Sequence, residues 1–225
     1  MYYKKVVQGQ FHKRLNRFVS EVWINGKLEA VHVKNTGRLI ELLISGADVI
    51  LEQSEQPNRK TKYDLVCVYK EKLGWVNIDS QAANKVVREW LEKQNYTYIK
   101  PEYTYGSSRI DFYMEKGESK YLMEVKGCTL EREGIGYFPD APTERGIKHL
   151  HELTRAVKEG YNCSIAFVIQ MEEIHEVRAN IEMHREFGTA LEEAEKAGVV
   201  VLFMECKVTM DSLQIWKCHK KSQGV

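Results

Sequence analysis

Two acids and a lysine lie close together around a short turn in the middle of the chain. The strand-like segments SRIDFYM and KYLMEVKG flank the dipeptide Gly117-Glu118. If these two residues form the loop of a β-hairpin, Asp111 of the first segment lies directly opposite Glu124 of the second. Lys126 lies two residues beyond Glu124 and therefore on the same face of the strand. The spacing predicts a cluster of two carboxylates and one amine.

A divalent cation would explain why a sheet keeps two facing carboxylates. Opposed acids on paired strands repel each other, and Mg²⁺ is commonly held by one or two carboxylates together with water and phosphate oxygens. A lysine beside the ion can position a water or neutralise charge on a phosphate. Asp111, Glu124 and Lys126 are therefore the parts needed for phosphodiester hydrolysis assisted by Mg²⁺ or Mn²⁺.

The Glu-x-Lys spacing alone does not establish this chemistry. Glu118 and Glu205 are also followed two positions later by a lysine. Glu118 falls in the predicted turn, however, and no aspartate-bearing strand forms a hairpin with the segment that contains Glu205. Only Glu124 meets both conditions. The alternative is a solvated hairpin face on which Lys126 forms an ordinary ion pair.

Helices alternate with buried strands around this hairpin. Apolar residues at helical spacing follow Asp79 and Ser80, either of which can cap the helix. A second amphipathic helix is predicted in ERGIKHLHELTRAVKEG, with Thr143 as its cap, and a third spans roughly 180–197 and stops at Gly198. The runs CSIAFVIQM and VVVLFMEC are continuously apolar, as in strands buried on both faces. This alternation predicts an α/β domain with a mixed sheet.

The front of the chain has a different pattern, with five or so short strands and no long helix. Asn25-Gly26 is a strong hairpin signal, and turn residues separate the other strand-like runs. The pattern predicts an all-β barrel of the oligonucleotide-binding (OB) type over residues 1–78 and the α/β domain over residues 79–225. Residues 1–78 hold 13 basic and 8 acidic residues, a net charge of +5, whereas residues 79–225 hold 20 and 24, a net charge of −4. A basic barrel suggests a polyanionic partner.

Basic side chains and aromatic rings are interleaved in the barrel sequence. Such a surface can follow a phosphate backbone and stack bases, as single-strand-binding barrels do. The alternative, favoured for Phe18 and Trp75, is that the rings belong to the core and the charges are ordinary surface residues. In the second helix, Arg145, Lys148 and His149 are candidates for phosphate contact, unless the helix is simply a capped surface helix. The barrel residues predicted to bind nucleic acid are Arg14, Arg17, Arg38, Arg59, Lys60 and Lys62, and the nearby aromatics are Phe11, Phe18, Tyr63 and Trp75.

The composition limits the class of protein. The chain has 225 residues, of which 43% are hydrophobic and 29% charged, a mix typical of a globular protein that can bury a core. No run approaches the roughly 20 apolar residues of a membrane helix, and the start lacks the apolar stretch of a signal peptide. Five cysteines without a Cys-x-x-Cys pair argue against disulfides or structural zinc and favour a reducing cytoplasm. No membrane partner is expected.

Longer strings of the sequence resemble a known family. The strings NTGRLIELLISGADVIL, RKTKYDL, VNIDSQAAN, SRIDF and EVKGCTLEREGIGYFPDAPTERGIKHLHEL, which span roughly residues 11–160, are similar to the sugar fermentation stimulation protein (SfsA) family. The last string is long enough to be specific. The resemblance implies an N-terminal OB-like barrel joined to an α/β domain of the PD-(D/E)XK nuclease superfamily. It also implies DNA as the partner, a bacterial or archaeal source, and a regulatory role in sugar (maltose) metabolism.

The resemblance also implies roles for individual residues. In that superfamily the motif acids hold Mg²⁺ or Mn²⁺ and the lysine assists the attacking water, which gives these roles to Asp111, Glu124 and Lys126. An acid on the preceding helix commonly completes such a site; Glu89 matches it, and Glu102 is the second choice. The proline that usually precedes the motif aspartate is an isoleucine here, which is a common variation.

Three functions stay open at this point. The first is a cytoplasmic DNA-binding protein with a metal-dependent, nuclease-like domain. The second is a DNA-binding regulator that keeps the nuclease scaffold without cleaving DNA. The third is a sugar- or metabolite-binding accessory protein that contacts DNA only weakly. The sequence decides neither the strand preference for DNA nor the oligomeric state, for which a homodimer is one alternative.

Overall fold

The N-terminal strands form a closed barrel. The computed structural model describes residues 1–56 and 58–222. Hydrogen-bonded neighbours follow the order β3-β2-β1-β4-β5-β6, and a parallel contact between β3 and β5 closes the ring, so that β6 extends a five-stranded barrel. This arrangement confirms the predicted OB-type fold. The strands are β1 (Val6–Arg14), β2 (Val19–Ile24), β3 (Lys27–Val33), β4 (Asp48–Gln53), β5 (Tyr63–Lys70) and β6 (Gly74–Asn77).

Strand β1 was not predicted from the sequence, because its apolar residues do not alternate regularly. A register shift between Phe11 and Lys13 breaks the period of two. Gly9 also weakens the strand pattern, yet the structure explains it: an added Cβ would lie 2.7 Å from Cγ1 of Val22. A side chain there would prevent the close approach of β2.

The burial of the aromatic side chains in the barrel differs from the expectation at one position. Phe11 and Tyr63 are buried in the core, and Trp75 is partly buried. The expectation that Phe18 belongs to the core is wrong, since its exposed fraction is 51%. β2 begins only at Val19, and Phe18 lies in the preceding turn, where the alternation of a strand does not apply.

The rest of the chain folds around a six-stranded mixed sheet in the order β15-β14-β12-β9-β8-β7, which confirms the predicted α/β architecture. The β9–β12 and β12–β14 pairs are parallel, and the other pairs are antiparallel. A small second sheet has the order β10-β11-β13. The elements are α1 (Ala82–Leu91), β7 (Tyr98–Tyr105), β8 (Ser108–Lys116), β9 (Ser119–Cys128), β10 (Leu130–Arg132), β11 (Ile135–Phe138), α2 (Glu144–Lys158), β12 (Asn162–Ile169), β13 (Val177–Ala179), α3 (Arg185–Ala197), β14 (Val200–Val208) and β15 (Leu213–Lys220).

Hydrophobic packing fixes the helices on the sheet and the barrel against the helices. Leu150 of α2 and Phe187 of α3 belong to one core cluster with Phe167 of β12. On the other face, Val86 of α1 shares a cluster with Val66 of β5, which belongs to the barrel. The barrel is therefore packed against the α/β domain through buried side chains. Among residues 1–56 and 58–222, no helix is long and apolar enough to cross a membrane.

Of the three helices described, only α2 has a hydrogen bond to the side chain of its N-cap residue. Thr143 Oγ1 accepts a hydrogen bond from the Gly146 amide, which confirms the predicted cap of α2. For α1, Asp79 accepts a hydrogen bond from the Gln81 amide, whereas the Ser80 hydroxyl donates to the Lys34 carbonyl and does not cap the helix. Helix α3 begins several residues later than predicted, because residues 180–183 form a turn.

Candidate metal and phosphate site

The β8–β9 hairpin has the predicted register. Lys116 pairs with Ser119, and the ladder continues as far as Phe112 and Met123. It stops one pair short of Asp111 and Glu124. There a side-chain contact replaces the backbone pairing, because Asp111 Oδ2 accepts a hydrogen bond of 2.8 Å from the Val125 amide. Asp111 is thus tied to β9 at the point where the two strands separate.

A cavity of about 420 Å³ opens at this separation, and Asp111, Glu124 and Lys126 all line it. We call it the carboxylate cavity. The structure therefore brings together the three residues that the sequence predicted to act together. The cavity is also lined by side chains and backbone from α1, α2, the loop before α2, the end of β12 and the barrel, including Asn84, Arg145, His149, Asp140, Gln170, Asn35, Thr36 and Gly37.

Glu124 is held firmly from one side. Its exposed fraction is 2%, and its Oε1 accepts a hydrogen bond of 2.5 Å from Lys126 Nζ. The Nδ1 atom of the buried His149 also contacts Oε1. Because His149 Nε2 lies 3.4 Å from the donor Nε of Arg145, the contacts assign the imidazole proton to Nδ1. His149 then donates to the carboxylate while Arg145 donates to His149.

The two carboxyl groups have opposite electrostatic environments. Burial and the neighbouring charge of Glu124 raise the pKa of Asp111, although the Val125 amide opposes the shift. Burial also acts to raise the pKa of Glu124, but the hydrogen bond from His149 and the charge of Lys126 outweigh it and lower that pKa. The surroundings of Asp111 therefore disfavour its charged form, whereas those of Glu124 favour it.

The residues present fit a divalent cation. Glu124 Oε2 is buried and has no hydrogen-bond partner, an arrangement that costs free energy unless a cation or water satisfies it. Asp111 lines the same cavity and lacks a cationic partner of its own in the described residues. No group of three or more His, Cys, Asp or Glu side chains in the described chain is arranged so that it alone could hold a metal ion. Two carboxylates without a closed protein cage suit Mg²⁺ or Mn²⁺, which keep water and phosphate oxygens as further ligands.

The prediction that Glu89 completes this site is wrong. Its carboxylate lies 2.7 Å from the terminal amine of Met1, and Glu89 does not line the cavity. Glu102, the second choice, is exposed and pairs with Arg109. Helix α1 instead presents Asn84, whose Nδ2 donates to Asp111 Oδ1 at 2.7 Å. Five positions separate Asn84 from Glu89, which places them on different faces of the helix.

Two of the predicted phosphate-binding arginines are used internally. All five donor positions of Arg14 bond to backbone carbonyls, among them those of Asn35, Gly37 and Arg38. Arg59 forms a two-point ion pair with Asp64, with distances of 2.9 and 2.6 Å. Neither guanidinium is free to bind a phosphate, so both assignments are corrected to structural roles.

The other basic candidates are exposed but differ in position. Arg145 lines the carboxylate cavity, whereas Lys148 does not and donates to the Ser107 carbonyl at 2.8 Å. Arg17 and Arg38 line a neighbouring cavity of about 520 Å³ on the barrel. Lys60 and Lys62 are exposed and line none of these cavities, and Lys62 lies over the ring of Tyr63.

Arg14→Ala is expected to destabilise the protein by about 2–4 kcal/mol, because the substitution leaves several backbone carbonyls without their charged donor. Chemical denaturation followed by circular dichroism measures the loss. Arg17→Ala, an exposed neighbour with no internal side-chain bond in the described residues, is the matched control and should change stability by less than about 0.5 kcal/mol. Equal stability of the two variants would show that Arg14 does not hold the loop.

Several cavity residues were missed because local sequence does not reveal them. His149 was considered for phosphate contact, but its burial against Glu124 could not be predicted. Asn84 and Asp140 have no motif of their own. Gln170 follows β12 directly, at the carboxyl end of two parallel strands, where ligand sites are common. Its Nε2 donates to Asn77 Oδ1 at 2.9 Å and links this edge to the barrel. That positional rule is the one signal that could have identified it.

The fold and the site define a two-domain protein in which an OB barrel and a mixed α/β domain share a cavity lined by carboxylates. Family models agree: the SfsA N-terminal OB domain matches residues 13–78, and the sugar fermentation stimulation protein RE domain matches residues 81–212. The chain belongs to the sugar fermentation stimulation protein (SfsA) family.

Individual relatives support this membership over nearly the whole chain. The sugar fermentation stimulation protein homologue of Desulfitobacterium hafniense is 52% identical over 217 residues, which are 95% of each chain. The homologue of Clostridium beijerinckii is 48% identical over 219 residues, 96% of each chain. The solved structure of Pyrococcus furiosus SfsA in complex with Ca²⁺ is similar with a TM-score of 0.82 and 25% identity, covering 98% of this chain and 95% of that one.

Proposed function

We propose that this protein binds DNA and hydrolyses its phosphodiester bonds in the carboxylate cavity with the help of Mg²⁺ or Mn²⁺. The observation that carries the proposal is the buried, unpartnered Oε2 of Glu124 beside Asp111 and Lys126. The two carboxylates and the amine are the groups that metal-assisted phosphodiester hydrolysis requires. The five free cysteines favour a cytoplasmic location for this activity.

Asp111 and Glu124 are the residues that would hold the cation. When bound, the ion supplies Lewis acidity to the phosphate and lowers the pKa of a coordinated water. The complex of the Pyrococcus furiosus relative with Ca²⁺ supports a cation that takes oxygen ligands, although at 25% identity it assigns no residue of this chain.

The remaining polar groups have roles that follow from their contacts. Lys126 Nζ can turn from Glu124 Oε1 toward an attacking water or a phosphate oxygen, because its side chain keeps an exposed fraction of 14% on the cavity. His149 keeps Oε1 occupied and so leaves Oε2 as the oxygen that would hold a cation. Arg145 is exposed on the cavity and can neutralise a phosphate.

The barrel supplies sequence-independent affinity in this proposal. Arg17 and Arg38 are exposed in a common cavity, and Lys60 and Lys62 are exposed elsewhere on the barrel. Contacts between such cations and phosphates release counterions, so DNA affinity should fall steeply as the salt concentration rises. Affinity that is indifferent to salt would contradict this part of the proposal.

Lys126→Ala is expected to lower cleavage of plasmid and single-stranded DNA in Mn²⁺ by about a hundredfold or more, since an amine next to developing charge contributes on that scale. Gel electrophoresis of the products measures the rates. Lys120→Ala, on the exposed end of the same strand, is the matched control and should cleave like the unmodified protein. Cleavage that persists equally in both variants would remove the proposed role of Lys126.

A non-cleaving DNA-binding regulator, acting on genes of sugar (maltose) metabolism, is the second candidate. It is favoured by one observation: α1 offers the amide of Asn84 to the cavity where a third acid was expected. The same assay separates the two functions. Tight, salt-sensitive binding without cleavage in either Mg²⁺ or Mn²⁺ would support the regulator and contradict hydrolysis.

A further inference from the structure

Three cavities follow one another between the carboxylates and the barrel arginines. The carboxylate cavity shares Thr36 and Gly37 with a cavity of about 180 Å³ beside Pro139. The same two residues line the cavity of about 520 Å³ that contains Arg17 and Arg38. We call these three adjoining cavities, which share Thr36 and Gly37 as lining residues, the interdomain groove. It leads from Glu124 across the domain boundary onto the barrel.

The reacting groups lie at the inner end of this groove and are recessed. The exposed fractions are 2% for Glu124 and 4% for His149, and that of the Lys126 side chain is 14%. A phosphate must therefore enter the carboxylate cavity to reach Glu124 Oε2. Its volume of about 420 Å³ suits a group of the size of one nucleotide, since pockets for small ligands span about 300–1,000 Å³.

The barrel side of the carboxylate cavity is a fixed wall. Asn35, Thr36 and Gly37 form this wall, and Arg14 Nη1 donates to the carbonyls of Gly37 and of the following Arg38 at 2.8 Å. From the other domain, Asp140 packs directly on Gly37, where an added Cβ would lie 2.0 Å from Asp140 Oδ2. Bonds from one side and packing from the other hold the wall in place.

The geometry points to single-stranded DNA as the substrate of this site, with the strand lying along the interdomain groove and its phosphates on Arg17 and Arg38. This inference rests on the proposed function and adds its substrate class. A single strand can lower one phosphate into a narrow cavity because its backbone bends freely. A paired duplex brings a second strand and stacked base pairs, which the fixed wall would keep outside.

The charge of the outer groove agrees with such a path. Arg17 and Arg38 are exposed, and neither guanidinium has an ion-pair partner among the described residues. Arginine donors are suited to phosphate oxygens. Arg14, between them, is saturated by backbone carbonyls and only positions the loop. The groove therefore offers two free cations at its outer end and Arg145 at its inner end.

Binding in Ca²⁺ and cleavage in Mn²⁺ test the inference separately from the proposed function. The probes are a fluorescent single strand of about 30 nucleotides, several times the site of one OB fold, and the blunt duplex of the same sequence. Fluorescence anisotropy in Ca²⁺ should give a Kd for the single strand that is at least about tenfold lower than the Kd for the duplex. Arg38→Glu should raise the Kd for the single strand about tenfold, whereas Lys27→Glu, exposed at the start of β3 outside the groove, should leave it unchanged.

The outcomes are distinct. Preference for the single strand, lost in Arg38→Glu but kept in Lys27→Glu, supports the inference whether or not Mn²⁺ produces cleavage. Equal or tighter binding of the duplex overturns it, and so does an Arg38→Glu variant that binds normally. Cleavage of either probe in Mn²⁺ supports the hydrolytic function independently, and its absence contradicts that function alone. Thermal unfolding of both variants checks that they are folded.

Discussion

Glu124→Gln is expected to lower the rate of Mn²⁺-dependent DNA cleavage by about a thousandfold or more, which corresponds to about 4 kcal/mol of transition-state stabilisation. The amide keeps the size of the side chain and leaves one oxygen to accept from Lys126 and His149. Its nitrogen then takes the position of Oε2 and directs two hydrogens at the place of the cation. The variant should therefore fold but fail to hold the metal.

Glu205→Gln is the matched control for this experiment. Glu205 is also buried and has the same Glu-x-Lys spacing, but it pairs with His175 at 2.7 Å and Lys217 at 3.0 Å and lines a different cavity. Glu205→Gln should leave the cleavage rate within about twofold of that of the unmodified protein. The rates are compared per folded molecule, with the folded fraction measured by thermal unfolding. If Glu124→Gln retained a tenth of the original rate, the carboxylate cavity would not be the hydrolytic site.

The hairpin could be predicted because its register depends on a local feature. A two-residue loop at Gly117-Glu118 fixes every pair that follows, and Gly117 has the positive φ, +60°, that such a loop requires. Asp111, Glu124 and Lys126 could therefore be placed together from the sequence. The end of the ladder before Asp111 could not, because it depends on the side-chain bond to the Val125 amide.

The rest of the candidate site depends on contacts between distant segments. The acid on α1 was misplaced because a helical pattern gives the buried face but not which polar residue points toward a neighbouring strand; Asn84 does so, and Glu89 does not. Arg14 and Arg59 were taken as phosphate ligands because sequence cannot distinguish a free guanidinium from one bound to internal oxygens. The wall at residues 35–37 depends both on bonds from Arg14 within the barrel and on the packing of Asp140 from the other domain.

Asp111→Asn is expected to stabilise the metal-free protein at neutral pH by up to about 1 kcal/mol, or about 2–4 °C in Tm, because it removes a buried charge next to Glu124. An asparagine can still accept from the Val125 amide and donate to Asn84 once the Asn84 amide is turned. Burial and Glu124 raise the pKa of Asp111. A raised pKa means that the native state binds the proton more tightly than the unfolded chain, so the charged form costs stability at high pH. The gain should therefore be full above the native pKa and vanish as the pH falls below about 4.

The same substitution should remove the response to metal. Ca²⁺ at about a hundred times its Kd stabilises a native state by about 2.7 kcal/mol, or roughly 5–10 °C in Tm for a chain of this length, and Asp111→Asn should lose most of that shift. Glu102→Gln, which removes an exposed acid outside the cavity, is the matched control and should keep it. Asp111→Asn should raise Tm in the absence of Ca²⁺ and lower it, relative to the unmodified protein, in the presence of Ca²⁺. These opposite effects are expected only if Asp111 serves to bind a cation and its charge destabilises the metal-free fold. A variant that loses stability at neutral pH yet keeps the full Ca²⁺ shift would show instead that Asp111 serves the fold.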